Sequence, residues 1–380
     1  MVNCEWITKG LRLEFTTRDN SLYYTTRPCC HMHGDSIDKV YKKWHKCDSW
    51  QDLEQHPNRM HFIQWQNQQQ KFHPACKICE QAQAQGTKNP RLMYTENDEV
   101  DYHILDVVVG NTCNLACPFC APNVSSLIEK IASQHNGVLP GKWGNDPEVN
   151  GNPVEVARVV ADFINNRRIG ELKIIGGEPL LYDNWNEIGK VISSGVCQKM
   201  KLTFTTNGTV MNNSIIRNLS QVKNSKITVS IDSIDKNYDF IRWPYSWDKV
   251  NKNIKMLFDK KPSSCFVNVE SLVTIFNFEL LPEIIEYFNR FPSFSFNFDL
   301  KPKNSELDFK VLPQNIIQSV YDRITNKTVR AELEYVLDNY HTMNLNSKRK
   351  HSTASVKWFL NQRQMNSSVL GSKTVEYLQL

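Results

Sequence analysis

Three closely spaced cysteines are the residues with the clearest chemical potential in this sequence. Cys113, Cys117 and Cys120 lie at C-x3-C-x2-C spacing, directly after an apolar stretch of β-strand character. Thiolates at this spacing can bind one iron–sulfur cluster from a single loop. A [4Fe–4S] cluster held by only three cysteines keeps one iron open for another molecule. A structural zinc site is the alternative, and it needs a fourth ligand such as His103 or His135.

A glycine-rich turn follows the next strand-like stretch. The residues Gly176-Gly177-Glu178-Pro179 come directly after the apolar run Leu172–Ile175. Two adjacent glycines allow the backbone to approach a ligand closely. A Gly-Gly-Glu-Pro turn alone is common, but its position after the cysteine loop favours an iron–sulfur site over a zinc site.

The two motifs together resemble the signature of radical SAM enzymes. In that family the open iron binds the amino and carboxylate groups of S-adenosylmethionine (SAM), and the Gly-Gly-Glu-Pro backbone contacts the methionine ammonium. The resemblance implies that Gly176, Gly177 and Glu178 lie beside SAM. It also implies that Phe119, just before the third cysteine, packs near the adenine.

Two later segments extend this resemblance, Thr-Thr-Asn-Gly at 205–208 and Ser-Ile-Asp at 230–232. Each ends a further strand-like stretch. The Ile-Arg pair at 241–242 is similar to a family pair whose arginine often meets the SAM carboxylate, and a guanidinium can bind both carboxylate oxygens. Each residue could instead be a strand-end cap or a turn residue. The resemblance assigns SAM contacts to Thr206, Asn207, Ser230, Asp232 and Arg242.

The resemblance implies a radical mechanism. Cys113, Cys117 and Cys120 would be the catalytic ligands of a SAM-binding [4Fe–4S] cluster. The reduced cluster would give one electron to the SAM sulfonium, and the resulting 5′-deoxyadenosyl radical would take a hydrogen atom from the substrate. The cofactor carries this chemistry while the protein orients it. An electron donor such as flavodoxin or ferredoxin is an expected partner.

A second set of cysteines lies in the first hundred residues. Its order, C-x-W, then Pro-Cys-Cys, then C-x-x-C, resembles a twitch domain, the shortened SPASM module of some radical SAM proteins. That resemblance implies an auxiliary [4Fe–4S] cluster. Asn89-Pro90-Arg91 replaces the usual Ser-x-Arg, and a four-cysteine zinc site is the alternative. The implied ligands are Cys4, Cys29, Cys76 and Cys79, with Cys30 as the alternative to Cys29 and Cys47 as the alternative to Cys4.

The pattern from residue 103 onward predicts an α/β fold, because short apolar runs alternate with amphipathic helical stretches. The resemblance selects a partial (β/α)6 TIM-type barrel, with active-site residues at the carboxyl ends of the strands. We expect a twitch-like α+β domain at 1–100, a radical SAM core at 101–300 and a helical extension at 301–380. The polar stretch 135–152 predicts a long loop, either surface decoration or a lid.

The predicted strands are Ile104–Val109, Leu172–Ile175, Leu202–Thr206, Ile227–Ile231, Phe266–Ile275 and Phe294–Leu300. The predicted helices are Val154–Ile164, Trp185–Ile192, Ser214–Leu219, Trp247–Phe258 and Leu280–Phe288, with helical patterns at 312–340 and 353–365.

Charge, hydropathy and cysteine content indicate which binding partners and which cellular compartment to expect. The net charge of +5 over 380 residues is too diffuse to indicate nucleic-acid binding, although it allows an anionic substrate. Without an apolar run of 18 residues we expect a soluble, cytoplasmic protein. Eleven cysteines in a reducing compartment indicate metal sites, with Cys197 and Cys265 as buried small side chains.

The expected substrate is a peptide or protein. A small metabolite or nucleotide is the alternative, and a non-catalytic zinc- or cluster-binding interaction protein is the alternative of another class. RNA modification should add a basic, aromatic-rich domain, and the last 80 residues show none.

Overall fold

The computed structural model describes residues 4–27, 29, 44–69, 71–86, 99–135, 150–300, 306–340 and 346–380. Three features predicted above lie wholly or largely outside these ranges: Cys30, the segment 89–91, and the loop at 135–152, of which 136–149 are not described.

One sheet organises the described part of the chain. Its nine strands lie in the order β3-β2-β1-β4-β5-β6-β7-β8-β9. Strands β4 to β9 pair in parallel, and β1 also pairs in parallel with β4. Strand β2 is antiparallel to β1, and β3 is antiparallel to β2. The strands are β1 Gly10–Arg18, β2 Ser21–Arg27, β3 His45–Lys46, β4 Tyr102–Val108, β5 Ile169–Ile175, β6 Lys201–Thr206, β7 Asn224–Ser230, β8 Cys265–Leu272 and β9 Phe294–Asp299.

Helices separate the parallel strands, as an α/β crossover requires. Several begin at a residue whose side chain accepts a hydrogen bond from the first turn, such as Asn152, Asn212 and Asn326. The α-helices are α1 Glu5–Lys9, α2 Pro57–Gln69, α3 Lys77–Ala84, α4 Ser126–Gln134, α5 Pro153–Asn166, α6 Tyr182–Ser193, α7 Asn213–Leu219, α8 Asp235–Ile241, α9 Trp247–Lys260, α10 Leu281–Phe288, α11 Gln314–Tyr321, α12 Lys327–Asp338, α13 Asn346–Gln362 and α14 Ser372–Leu378.

Side chains alternate between the two faces of the sheet. Apolar side chains such as Leu105, Leu172 and Leu202 share the main core with helix residues such as Val156 and Phe163. The alternate positions are polar and lie in register across neighbouring strands. In the strand register, Arg12 of β1 lies beside Asp106 of β4, and Asp106 lies beside Lys173 of β5. Lys173 in turn lies beside Thr203 of β6. The face of the sheet away from the main core therefore carries charged and polar side chains.

The six predicted strands and the parallel α/β architecture are confirmed. Strand β8 ends at Leu272, before the predicted Ile275, because the chain turns there: the Thr274 amide donates to Asn277 Oδ1 at 2.7 Å. Strands β1 to β3 and helices α1 to α4, α8 and α14 were not predicted individually. The described C-terminal residues form four α-helices, α11 to α14, which share a second core with Phe276 and Phe309.

The sheet crosses the predicted domain boundary near residue 100. Residues Gly10 to Glu14 of β1 pair with Ile104 to Val108 of β4. The three-domain division itself stays a prediction. In the described residues no helix has both the length and the apolar character to cross a membrane.

Candidate active site

The three-cysteine loop begins just past the carboxyl end of β4. Cys117 is buried, while Cys113 and Cys120 are half-buried. The Cys120 amide donates to the Cys117 carbonyl at 3.0 Å, and the Ala116 amide donates to the Trp243 carbonyl at 2.8 Å. Backbone hydrogen bonds therefore hold the loop in a tight turn.

The thiols of this loop influence one another. A hydrogen bond from Cys120 lowers the pKa of Cys117, and the Arg242 guanidinium acts in the same direction. The same thiol–thiol hydrogen bond, with burial, raises the pKa of Cys120, and burial raises the pKa of Cys113 to about 12. Iron and zinc bind thiolates, so a metal bound at this loop would release protons.

No compact single-ion site exists in the described part of the chain. Among the described residues, the three loop cysteines included, no three His, Cys, Asp or Glu side chains form a group that could hold a single metal ion. His103 is buried in β4, and the ring centre of His135 lies 5.3 Å from that of Trp358. The donor set at the loop is three thiols, which suits an iron–sulfur cluster with one open iron.

The Gly-Gly-Glu turn packs directly on the start of the cysteine loop. Gly177 has φ +43°, and a Cβ there would lie 2.2 Å from the Thr112 carbonyl oxygen. Gly176 has φ +93°, and its Cβ would lie 2.6 Å from Val108 Cγ1. The Glu178 amide donates to the Thr112 carbonyl at 2.8 Å. Only glycine permits this approach of the two loops.

Glu178 links the carboxyl ends of strands β5 and β6. Its side chain is fully buried and accepts three hydrogen bonds, from the Leu180 amide at 3.0 Å, Thr206 Oγ1 at 2.7 Å and the Asn207 amide at 2.5 Å. Burial raises its pKa to about 7, although these hydrogen bonds and Arg242 oppose the shift. The carboxylate is thus engaged with the protein, while its own backbone lies next to the cysteine loop.

Asn207 reaches from the end of β6 to the cysteine loop. Its Nδ2 donates to Asn114 Oδ1 at 2.9 Å and lies 3.8 Å from Cys113 Sγ. Thr209 donates to Asn207 Oδ1 at 2.7 Å and accepts from Asn114 Nδ2 at 2.9 Å. These contacts fix the first cysteine against the third core strand.

Asp232 and Arg242 form a buried ion pair past the end of β7. Arg242 Nε donates to Asp232 Oδ2 at 2.5 Å, and the exposed fractions of the two residues are 7% and 1%. Burial opposes the charge of Arg242, but Asp232 and Cys117 raise its pKa. Its guanidinium lies 5.6 Å from the Phe119 ring centre, and Nη1 and Nη2 have no hydrogen-bond acceptor among the described residues. Ser230, at the end of β7, is half-buried.

The structure thus brings most of the predicted barrel residues together at the carboxyl ends of four neighbouring strands. It adds two residues that the sequence did not single out. Ser126 Oγ accepts from the Cys113 amide at 3.2 Å, and Arg363 Nη2 donates to the Ala116 carbonyl at 2.6 Å. A single sequence gives no signal for Arg363, because 247 positions separate it from Ala116.

Three of the N-terminal cysteines pack against one small apolar cluster. Cys4, Cys29 and Cys76 contact the cluster formed by Ile7, Phe62 and Ala75. The Cys4 amide donates to Gln66 Oε1 at 2.9 Å, so the glutamine-rich helix α2 holds the start of this segment. Burial, together with the nearby thiols of Cys4 and Cys79, raises the pKa of Cys76 to about 12.

Cys47 lies elsewhere. It is buried in the main core with Leu22 and Leu53, and its thiol donates to the Ser49 carbonyl at 3.6 Å. Burial raises its pKa to about 12. Its neighbours therefore differ from those of Cys4, the ligand for which it is the predicted alternative.

Comparisons with known proteins agree on the core. Residues 107–288 match the family model of the radical SAM superfamily. The chain is 27% identical over 245 residues to the radical SAM cyclopropyl synthase TigE of Paramaledivibacter caminithermalis, an alignment that covers 62% of this chain and 47% of TigE. It is 28% identical over 209 residues to the uncharacterized protein MJ0907 of Methanocaldococcus jannaschii, covering 52% of this chain and 63% of that protein.

Among solved structures, Streptococcus suis SuiB bound to S-adenosylmethionine aligns with a TM-score of 0.39 and 13% identity, covering 84% of this chain and 70% of SuiB. The chain spans about half of the length of TigE and less than two thirds of MJ0907. Residues 107–288 of this chain are a radical SAM superfamily domain.

Proposed function

We propose that this protein is a radical SAM enzyme that cleaves S-adenosylmethionine at the three-cysteine loop and abstracts hydrogen from a peptide or protein substrate. The observation that carries the proposal is the packing of the three-thiol loop against the Gly-Gly-Glu turn, Asn207 and Arg242. When bound, a [4Fe–4S] cluster supplies the electron that cleaves SAM to a 5′-deoxyadenosyl radical.

The chain's own residues have distinct tasks in this proposal. Cys113, Cys117 and Cys120 would hold the cluster, and Arg242 favours the thiolate form of Cys117. The free Nη1 and Nη2 of Arg242 are donors for the SAM carboxylate, while Asp232 fixes the orientation of the guanidinium through Nε.

Glu178 would act through its backbone. Its side chain already accepts three hydrogen bonds from the protein, so it positions the Gly176-Gly177 segment for contact with the methionine part of SAM. Thr206 and Asn207 donate two of those bonds. Phe119 offers a ring for the adenine, and Ser230 a hydroxyl at the neighbouring strand end.

We further propose an auxiliary cluster held by Cys4, Cys29, Cys76 and Cys79. The support is that Cys4, Cys29 and Cys76 share one apolar cluster and that the thiols of Cys4 and Cys79 act on the pKa of Cys76. Cys30 remains the alternative to Cys29. Together with the resemblance to twitch-containing proteins, this second site is the basis for proposing a peptide or protein substrate.

Cleavage of SAM is the direct test. The anaerobically reconstituted full chain, reduced with dithionite, should form 5′-deoxyadenosine from SAM, as measured by chromatography. A variant with Cys113, Cys117 and Cys120 all replaced by alanine should form none and should lose about half of its iron, because each site binds one four-iron cluster. Cys197→Ala is the matched control, since Cys197 is buried in the main core among helix and strand residues.

The control should keep both its iron and its SAM cleavage. If the triple variant still cleaves SAM, the three-cysteine loop does not hold the catalytic cluster. If zinc replaces iron at both sites when both metals are offered anaerobically, the protein is not a radical SAM enzyme.

A further inference from the structure

Arg363 is a buried cation next to the cysteine loop, contributed by the C-terminal extension. It follows directly after helix α13, and only 5% of its surface is exposed. Its Nη2 donates to the Ala116 carbonyl at 2.6 Å, and its Nη1 donates to the Phe240 carbonyl. The guanidinium thereby joins the cysteine loop to helix α8, whose last turn leads into Arg242.

Aromatic rings and carbonyl oxygens surround this guanidinium, with no carboxylate among the described residues. It lies 4.9 Å from the Phe240 ring centre and 5.0 Å from the Phe359 ring centre. Its buried Nε has no hydrogen-bond acceptor among the described residues. The one acidic group that acts on it there is the Cys117 thiol, with no carboxylate of the described residues alongside.

A buried charge without a counter-ion is costly, so such charges in proteins are paired. Asp232 is already paired with the neighbouring Arg242, so it is not a counter-ion for Arg363. The acidic group that faces Arg363 is the Cys117 thiol, so a thiolate or a bound iron–sulfur cluster at the cysteine loop would supply the negative charge. The charge of such a cluster becomes more negative by one unit on reduction.

We propose that Arg363 is a positioning and tuning residue for the cysteine-loop cluster: it holds the loop through Ala116 and stabilises the reduced cluster by its positive charge. This inference rests on the proposed function. Cluster potentials depend on net charge, hydrogen bonding and burial, and Arg363 contributes a fixed cation at a buried position. The C-terminal extension would then act on the electron-transfer step as well as cover the core.

The test is a redox titration of the anaerobically reconstituted full chain, followed by electron paramagnetic resonance. The signal that changes when SAM is added identifies the cysteine-loop cluster. In Arg363→Gln the ratio of reduced to oxidised cluster at a fixed potential should fall about tenfold, which for one electron is a shift of 59 mV to lower potential. Arg363→Lys keeps the charge and should stay closer to wild type.

Arg323→Gln is the matched control. Arg323 is also in the C-terminal extension, but it is 49% exposed and pairs with Glu283, so its loss should leave the potential unchanged. A wild-type potential in an Arg363→Gln variant that retains its cluster would overturn the inference. If Arg363→Gln retains no cluster, the Arg363→Lys variant is decisive. A reduction potential near wild type in Arg363→Lys supports the role of the charge. A tenfold change in its ratio of reduced to oxidised cluster refutes that role. Absence of a SAM-sensitive cluster in the wild type would instead refute the proposed function.

Discussion

Replacing Gly177 by alanine tests whether the close packing of the two loops builds the site. The added Cβ would lie 2.2 Å from the Thr112 carbonyl oxygen, and real Cβ atoms essentially never come within 3.0 Å of such an atom. One of the two loops must therefore move by at least 0.8 Å. Cys113 is the next residue after Thr112, so the displacement acts directly on the first cysteine.

The expected cost has three parts. A left-handed backbone conformation costs an alanine about 1–2 kcal/mol relative to glycine. Overpacking adds about 1–3 kcal/mol. The loops then separate and weaken the hydrogen bond from the Glu178 amide to the Thr112 carbonyl, a loss of about 1 kcal/mol.

Gly195→Ala separates backbone strain from loop packing. Gly195 also has a positive φ, +86°, but a Cβ there would meet only the flexible Gln198 side chain, at 3.6 Å. We expect Gly195→Ala to lose about 1–2 kcal/mol of unfolding free energy while retaining its iron and SAM cleavage.

Iron analysis and 5′-deoxyadenosine formation are the assays, with denaturant unfolding as the measure of stability. Gly177→Ala should be the less stable of the two variants and should lose iron from the cysteine-loop site. If Gly177→Ala binds iron and cleaves SAM as well as Gly195→Ala does, contact between the Gly-Gly-Glu turn and the cysteine loop does not shape the site.

Three further predictions follow from individual contacts. Burial raises the pKa of Glu178 from its ordinary 4.5 to about 7, so the folded protein binds the extra proton and stability should decrease as pH rises between these values, by about 1.4 kcal/mol per pH unit. Thermal unfolding of Glu178→Gln should lack this contribution, and an unchanged pH dependence would contradict it. Arg242→Lys keeps a cation beside Asp232 but removes the guanidinium fork, so SAM binding should weaken at least tenfold, a loss of about 1.5–3 kcal/mol; equilibrium binding equal to wild type would move the carboxylate contact elsewhere. Cys76→Ala should leave SAM cleavage without substrate largely intact but abolish product formation, and normal turnover of the true substrate would exclude an auxiliary cluster with a part in the reaction.

Local sequence patterns were sufficient for the parallel core. Apolar runs such as Leu202–Thr206 and Ile227–Ile231 predicted β6 and β7 within a few residues, because strands buried between layers of helices are apolar and short. The motifs at their carboxyl ends also lie close together, since parallel strands bring these ends to the same edge of the sheet.

The N-terminal strands were missed for a physical reason. Strand β1 carries Arg12 and Glu14 on one face and Leu11, Leu13 and Phe15 on the other. The charges are partly buried and paired, with Arg12 Nη1 donating to Asp106 at 3.0 Å, so they do not mark a solvent-exposed segment. Sequence alone does not show that these charges have partners on β2 and β4.

Local sequence patterns could not predict the roles of Arg363 and Glu178. Arg363 acts on a loop that is distant in sequence, and nothing near it in the chain indicates that its partner is a carbonyl at Ala116. Glu178 was predicted beside SAM, but its side chain is engaged with Thr206 and the Asn207 amide. Only the three-dimensional arrangement separates the task of its backbone from that of its carboxylate.

The parallel pairing of β1 with β4 has a consequence for dissecting the protein. A fragment that starts near residue 101 would leave the backbone N–H and C=O groups of β4 without their partners on β1. A newly exposed, apolar edge strand tends to pair with other chains and aggregate. The fragment 1–100 would in turn expose Leu11, Leu13 and Phe15, which are buried in the intact chain. Each of the two fragments thus covers an apolar surface of the other, so the two cysteine sites are best compared by point substitution in the uncut chain.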